Sequence, residues 1–235
     1  MRGLLIAALL FCVANADDLY LAGAMGYKKP IETLAASYQK ASGVAVKTMF
    51  GNMQHITAQT QNSDKFELFV GDEKIIDEQG VKYTQKIVFG EGVLTLVFSK
   101  SIKGEPSLDF LKNPTIKKIG APHPKSAIFG IAADEALKNA KLYRDVESKL
   151  TIVQHIPQVA EYLKSGDIDA GFINKTNYLA IKDQTGFALE VDRKLYTPIK
   201  IVCVVLSERA SEEAQGFIEF LKSSEAKEIL KANGL

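Results

Sequence analysis

The sequence predicts an α/β fold of parallel sheets divided between two lobes, with two strands crossing from one lobe to the other. Three observations carry this. Apolar runs of strand length alternate with segments of helical spacing along the whole chain, and parallel α/β sheets are the natural way to bury that pattern. Two apolar runs, 92–99 (GVLTLVFS) and 199–206 (IKIVCVVL), are long enough to pass between lobes. No repeat, low-complexity tract or Pro/Gly linker interrupts the chain, so a boundary has to be crossed by ordered strands. The predicted lobes are therefore discontinuous: 17–95 with 203–235 form the first, and 96–202 the second.

The elements follow in order. Leu19 to Ala22 is a short strand ending in the glycine-bearing loop AGAMGYKK. Pro30 to Ser42 reads as an amphipathic helix. Its proline suits a first turn, Ile31, Leu34, Ala35 and Tyr38 share a face, and Gly43 stops it. The strand VAVKTMF ends at Gly51, a polar segment of helical spacing follows, and the strand ELFVG closes on the acidic pair Asp72-Glu73. Lys74 to Gln79 reads as a short helix ended by Gly80, before the first crossing strand. Pro106 to Asn113 is a short helix, and IKKIGAP a strand running into the loop PHPKSAIFG. A helix over Ala132 to Lys149, a strand TIVQHI, and a helix over Pro157 to Lys164 come next. The strand IDAGFI leads to Asn174–Asn177, which open another helix. FALEV and the second crossing strand precede a helical hairpin within 212–233.

Composition narrows the function. Residues 1–16 have the form of a secretory signal: Arg2, an apolar stretch from Gly3 to Val13, and an A-x-A cleavage site at Ala14-Asn15-Ala16. The mature chain is expected to be exported and to begin at Asp17, with Cys203 as its single cysteine in an apolar run, a buried inert thiol. Lysine and arginine (29) nearly equal aspartate and glutamate (28), which gives no electrostatic signature for nucleic acid or a membrane surface. With 46% hydrophobic residues the chain can bury one large core or two modest ones.

No G-x-S-x-G, P-loop, H-E-x-x-H or C-x-x-C occurs, and the acid pairs Asp72/Glu73 and Asp167/Asp169 read as solvated turn residues, so no enzyme is indicated. Instead, polar or glycine-bearing loops follow strands at 23–29, 51–55, 123–128 and 174–177, with Gln154-His155-Ile156 as a fifth. Ligands of open α/β sheets bind at such carboxyl ends, where helix starts present unpaired N–H groups. His55, His123 and His155 fall in or beside these loops, with Met25 and Met53, a set that serves either as caps and apolar anchors or as soft metal ligands. Lys28 and Lys125 are either rim charges or anion contacts.

The chain resembles the periplasmic molybdate-binding protein family of ABC-transporter substrate-binding proteins. The stretches that carry the resemblance are LYLAGAMGYKKPIETLAASYQKASGVAVKTMFG, FELFVGDEK, IGAPHPKSAIFGIAADEAL, IPQVAEYLKSGDIDAGFIN and FIEFLKSSEAKEILKANGL. They run parallel to the family's A-A-S-L-T loop, its F-G-S-S strand end, its A-D-[VL]-F-[IV]-S-A-D strand, its G-x-P-x-x-x-P-A-G loop and its A-G-[IF]-V-Y strand. The resemblance implies a two-lobed type II periplasmic-binding fold that hinges about the crossing strands, works as a monomer and delivers its ligand to a cognate ABC permease, with no cofactor. It implies a site at Gly26, Tyr27, Asn52, Met53, Ser126, Ala127, Ile156 and Asn174, with Lys28 and His55 behind them. The family holds a tetrahedral oxyanion by hydroxyls and backbone N–H groups. Here the first loop has no serine or threonine and Met53 stands at the second-loop serine position, which leaves backbone donors at both. The ligand is thus a molybdate- or tungstate-like oxyanion, another small anion, or a transition metal or chelate held by the histidines and methionines. A non-transport role, as an exported antigen or a sensor's partner, is the remaining alternative.

Overall fold

A computed structural model describes residues 18–206 and 210–235; the expected signal segment, 1–16, lies outside the described residues. The first part of the chain supplies β1 (Leu19–Ala24), α1 (Lys28–Ser42), β2 (Val46–Gly51), α2 (Met53–Gln61), β3 (Leu68–Asp72), α3 (Glu73–Glu78) and β4 (Gln85–Gly92). The middle supplies β5 (Leu94–Phe98), β6 (Ile119–Pro122), α4 (Ile128–Asn139), α5 (Tyr143–Val146), β7 (Leu150–Val153), α6 (Ile156–Ser165), β8 (Ala170–Asn174), α7 (Lys175–Ile181) and β9 (Ala188–Glu190). β10 (Ile199–Val205), α8 (Glu212–Leu221) and α9 (Ser224–Ala232) return to the first sheet.

Two sheets result, with strand orders β2-β1-β3-β10-β4 and β7-β6-β8-β5-β9. They have the same plan. In each, one strand (β1 or β6) lies between two parallel neighbours, and a strand arriving from the other sheet runs antiparallel at the far side. The sheets are thus mixed, not parallel throughout. The reason is connectivity: β5 and β10 enter their sheets from the end where the other strands finish, so they must run backwards through them.

The sheet pairing also moves the expected lobe limits. The predicted crossing strand 92–99 is split at Val93, with β4 in the first sheet and β5 in the second. All of β10 pairs in the first sheet, so residues 199–202 belong there and not in the second lobe, and the return passage occupies 191–198. The two passages are tied to each other: the Leu94 N–H donates to the Tyr196 hydroxyl at 3.1 Å, and the Val191 N–H to the Leu94 carbonyl at 2.9 Å. Gly92 is needed at this crossing, because a Cβ there would stand 2.7 Å from Phe129 Cζ and 2.8 Å from Ile199 Cγ2.

Other differences are local. β4 was not expected, since its sequence QKIVFGEG has charges inside the apolar run and Val88 faces solvent, as an edge strand allows. The helix expected over 132–149 starts earlier, at Ile128, and breaks at Lys141, which takes φ 59°. Of the helix expected over 106–113 only a 3-10 turn at Asp109–Lys112 forms. The chain end packs on the first lobe, with Phe217 of α8 edge-on to Tyr38 of α1 at 5.2 Å between ring centroids. None of the described helices is long and apolar enough to cross a membrane. Cys203 is buried at the centre of β10, and burial alone pushes its thiol up to about 12, which keeps it protonated and unreactive.

Candidate functional site

The carboxyl ends of β1, β2 and β3 look across a cleft at those of β6 and β7, enclosing about 710 Å³ with the open mouth included. The first sheet contributes Ala24 to Tyr27, Gly51 to Gln54, and Asp72; the second contributes Ser126 to Phe129 and Gln154 to Pro157. Three helices, α2, α4 and α6, begin on this cleft. The first N–H groups of any helix lack intrahelical partners and carry the positive end of its dipole. Ala127 and His155, at the N-caps of α4 and α6, give no side-chain cap, which leaves those donors to whatever enters. Asn52 caps α2 by accepting the His55 N–H at 2.8 Å.

The side chains facing the cleft are mostly apolar, and they include one carboxylate and no lysine or arginine. That carboxylate is Asp72, which is 1% exposed. One of its oxygens accepts the Ile75 N–H at 3.1 Å and so caps α3. Burial pushes its pKa up to about 6, against the opposing pull of that hydrogen bond and of Lys74. Tyr27 is 3% exposed, and its hydroxyl has no hydrogen-bond partner among the described residues. Burial, and after it the nearby Asp72 charge, hold the Tyr27 pKa well above its ordinary value. Met53 lies over Gly71, the residue before Asp72. A Cβ at Gly71 would come within 2.9 Å of the Met53 Cε, so the glycine makes room for the thioether.

Of the residues expected at the site, Gly26, Tyr27, Asn52, Met53, Ser126, Ala127 and Ile156 meet around this cleft. Asn174, Lys28 and His55 do not line it. Asn174 is buried at the end of β8 and does two structural jobs: it caps α7 by accepting the Asn177 N–H at 3.1 Å, and its amide donates to the Gly26 carbonyl at 3.1 Å. The Asn177 amide donates to the same carbonyl at 3.1 Å, so α7 of the second lobe grips the first loop of the first. Lys28 opens α1, is exposed, and pairs with Glu32 at 3.7 Å. His55 is exposed in the first turn of α2, with only its backbone engaged by Asn52.

The histidines do not converge. His155 lines the cleft, whereas His123 sits in its own turn with Nδ1 3.1 Å from the Ser126 hydroxyl. Among the described residues no group of three His, Cys, Asp or Glu side chains could hold a metal ion. Asp72 is the charged cleft-lining residue that the sequence did not single out. It is not a solvated turn acid, because the end of an all-buried strand and the start of a helix enclose it. The signal was present: an acid ending an apolar run and followed by a helical segment is an N-cap, and this N-cap falls at a strand's carboxyl end, where ligands sit. Asp169, also read as solvated, is half-buried and accepts the N–H groups of Lys117 and Lys118 at 2.6 and 2.9 Å.

The model of the family described as bacterial extracellular solute-binding protein matches residues 19–235. In sequence, the chain is 29% identical over 235 residues to the molybdate-binding protein ModA of Azotobacter vinelandii, covering 97% of this chain and 93% of that protein. It is 26% identical over 227 residues to ModA of Rhodobacter capsulatus, covering 94% and 89%. In structure it is similar to the periplasmic molybdate-binding protein of Azotobacter vinelandii, with a TM-score of 0.82 at 23% identity, covering 92% of this chain and 98% of that one.

Proposed function

Because this chain belongs to the bacterial extracellular solute-binding protein family and has the type II periplasmic-binding fold, we propose that it captures a small oxyanion between its two sheets and delivers it to an ABC-transporter permease. The observation that carries the reading is the convergence of the α2, α4 and α6 starts on one cleft that has no lysine or arginine. Backbone N–H groups at helix starts hold oxyanion oxygens without a countercharge, and a water-poor cleft strengthens each of those bonds. A binding role is supported by the family and by relatives that are binding proteins by name.

Capture by a two-lobed protein needs a hinge, and the two passages, at Val93 and over 191–198, are where backbone rotation can be absorbed. Asn174 and Asn177, bonded to the Gly26 carbonyl, favour the closed arrangement. The reading places the mature chain, from Asp17 onward, in the periplasm as a monomer. Two of the relatives are molybdate-binding proteins by name, and the first loop and Met53 of this chain lack the serine and threonine hydroxyls of that family's sites. The cargo is therefore a molybdate- or tungstate-like oxyanion or another small anion.

Thermal-shift and calorimetric titration of the mature protein tests this, with molybdate, tungstate, sulfate and phosphate set beside nickel, copper and zinc salts. Ligand at a hundred times its Kd adds about 2.7 kcal/mol of stability, an upward shift well above noise. Stabilisation by at least one oxyanion is expected; stabilisation by metal salts alone overturns the reading.

A further inference from the structure

The two sheets share one plan, so their corresponding residues can be compared directly. β3 occupies in the first sheet the place that β8 occupies in the second. Each ends in a side chain 1% exposed that caps the following helix: Asp72 accepts from Ile75 and Asn174 from Asn177, both at 3.1 Å. Asparagine and aspartate cap helices about equally well. The capping role therefore does not explain why the first sheet carries a buried charge where the second carries an amide.

What distinguishes Asp72 is its surroundings. The Asn174 amide spends its donor on Gly26, whereas the second oxygen of Asp72 has no hydrogen-bond partner among the described residues. Asp72 lines the cleft, and no lysine or arginine does. Tyr27 lines the same cleft with a hydroxyl that is buried and unpartnered. An ionised carboxylate only accepts, and so does a fully deprotonated oxyanion. The two cannot face each other in a dry cleft unless one proton lies between them.

We propose that Asp72 makes this cleft selective for oxyanions that keep a proton: the ligand's O–H donates to the free oxygen of Asp72, and an oxyanion without a proton enters only when Asp72 takes one up. This rests on the reading of the cleft as an oxyanion site and names the class of oxyanion. Hydrogenphosphate and hydrogenarsenate bring the proton themselves; molybdate, tungstate and sulfate do not. Tyr27 supplies a hydroxyl donor to the ligand and the starts of α2, α4 and α6 supply N–H groups, so the cleft offers several donors and one acceptor.

The other charged or titratable groups facing Asp72 are few. On α3 these are Glu73, Lys74 and Glu78; Glu73 is itself paired with Lys86 of β4 and approached by Lys200 of β10. From the first loop Tyr27 faces it, and across the cleft His155 is the titratable group on the lining. Glu135 of α4 is occupied by Thr197, accepting its N–H at 2.7 Å. The Asp72 carboxyl, pushed up to about 6, can hold a proton at mildly acidic pH.

Calorimetry of the wild-type mature protein at pH 6, 7 and 8, in buffers of differing ionisation enthalpy, tests the proposal without any substitution. At pH 8, where inorganic phosphate is mainly hydrogenphosphate, it is expected to bind with no net proton uptake; towards pH 6, where the free anion carries a second proton, binding releases that proton. Molybdate and sulfate are expected to weaken about tenfold per pH unit above the titration of Asp72, taking up one proton each as they bind. Asp72→Asn keeps the cap, as Asn174 demonstrates, and should abolish the slope, strengthening molybdate and sulfate at pH 8 by more than about tenfold relative to phosphate. Tyr27→Phe should weaken both classes and leave the slope in place. His155→Gln should leave the slope unchanged. Proton-free dianions that bind equally at pH 6 and 8, or a slope that survives Asp72→Asn, overturn the proposal while leaving the oxyanion site standing. Silence of the wild-type protein towards both classes at every pH instead removes the oxyanion reading itself, and this proposal with it.

Discussion

The two lobes have the same strand order and opposite polar endowments. In the first, the third strand ends in Asp72, and the first loop carries Tyr27 with its hydroxyl unused. In the second, the third strand ends in Asn174, whose donor is already spent on the first lobe, and two helices begin without a side-chain cap. One lobe thus brings a carboxylate and a hydroxyl, and the other brings mostly backbone donors. The lesson is that shared topology sets where a side chain stands, while the atom at its tip sets what it can bind. Asp72 and Asn174 differ by one oxygen for one nitrogen, and that exchange separates an acceptor facing the cleft from a donor bonded to the first loop of the other lobe.

The largest effects are expected from the cores. Phe69 in β3 and Phe172 in β8 are both fully buried, so Phe69→Ala and Phe172→Ala should each cost about 3–5 kcal/mol in denaturant unfolding. A near-zero cost in one lobe alone would mean that the two sheets are not equivalent scaffolds. Next comes the charge at Asp72. Its folded pKa is raised, so the folded chain holds a proton to about pH 6 where the unfolded chain has already released it. Stability from this group is present at low pH and lost as pH rises from about 4 to 6. Asp72→Asn should therefore stabilise the ligand-free protein at pH 8, by up to about 3 kcal/mol, and change it little at pH 4. Equal effects at both pH values would show that the carboxylate is not strained by burial.

Asn174→Ala should cost about 1–2 kcal/mol through the lost cap and the lost bond to Gly26, and it should weaken ligand binding by loosening the latch, measured by unfolding and calorimetry together. Asn174→Asp keeps the cap but exchanges the donor for a charge beside the Gly26 carbonyl; it should lose the latch and weaken anion binding by about tenfold or more. The smallest effect is expected at His55, which is exposed and outside the cleft lining. His55→Ala should change stability by less than about 0.5 kcal/mol and affinity by less than about twofold. A large loss there would bring the His55 side chain itself into the site.

Much of this was legible in the chain. The alternation of apolar and amphipathic segments announced the layers, and the polar loop after Gly51 announced one wall of the cleft. Seven of the ten expected site residues meet around the cleft because loops after parallel strands share one edge of a sheet. Lys28 and His55, expected behind the others, lie outside the cleft lining, and Asn174 bonds to the Gly26 carbonyl and caps α7, because which way a side chain leaves a helix or strand is set by packing. Asp72 was missed because an acid at a turn is normally wet. Only the packing of α3 and β10 on the end of β3 makes this one dry.

The fold class, the family and the loops that could bear a site are written in the chain, because hydrophobic period, caps and turn residues are local and act before any lobe meets another. The antiparallel course of β5 and β10, the passages at Val93 and over 191–198, and the contrasting surroundings of Asp72 and Asn174 arise only once the sheets assemble. Those depend on which surfaces close over a residue. Burial turns a carboxylate from a solvated charge into a group that must share a proton, and burial is a property of the assembled sheets and not of any stretch of chain.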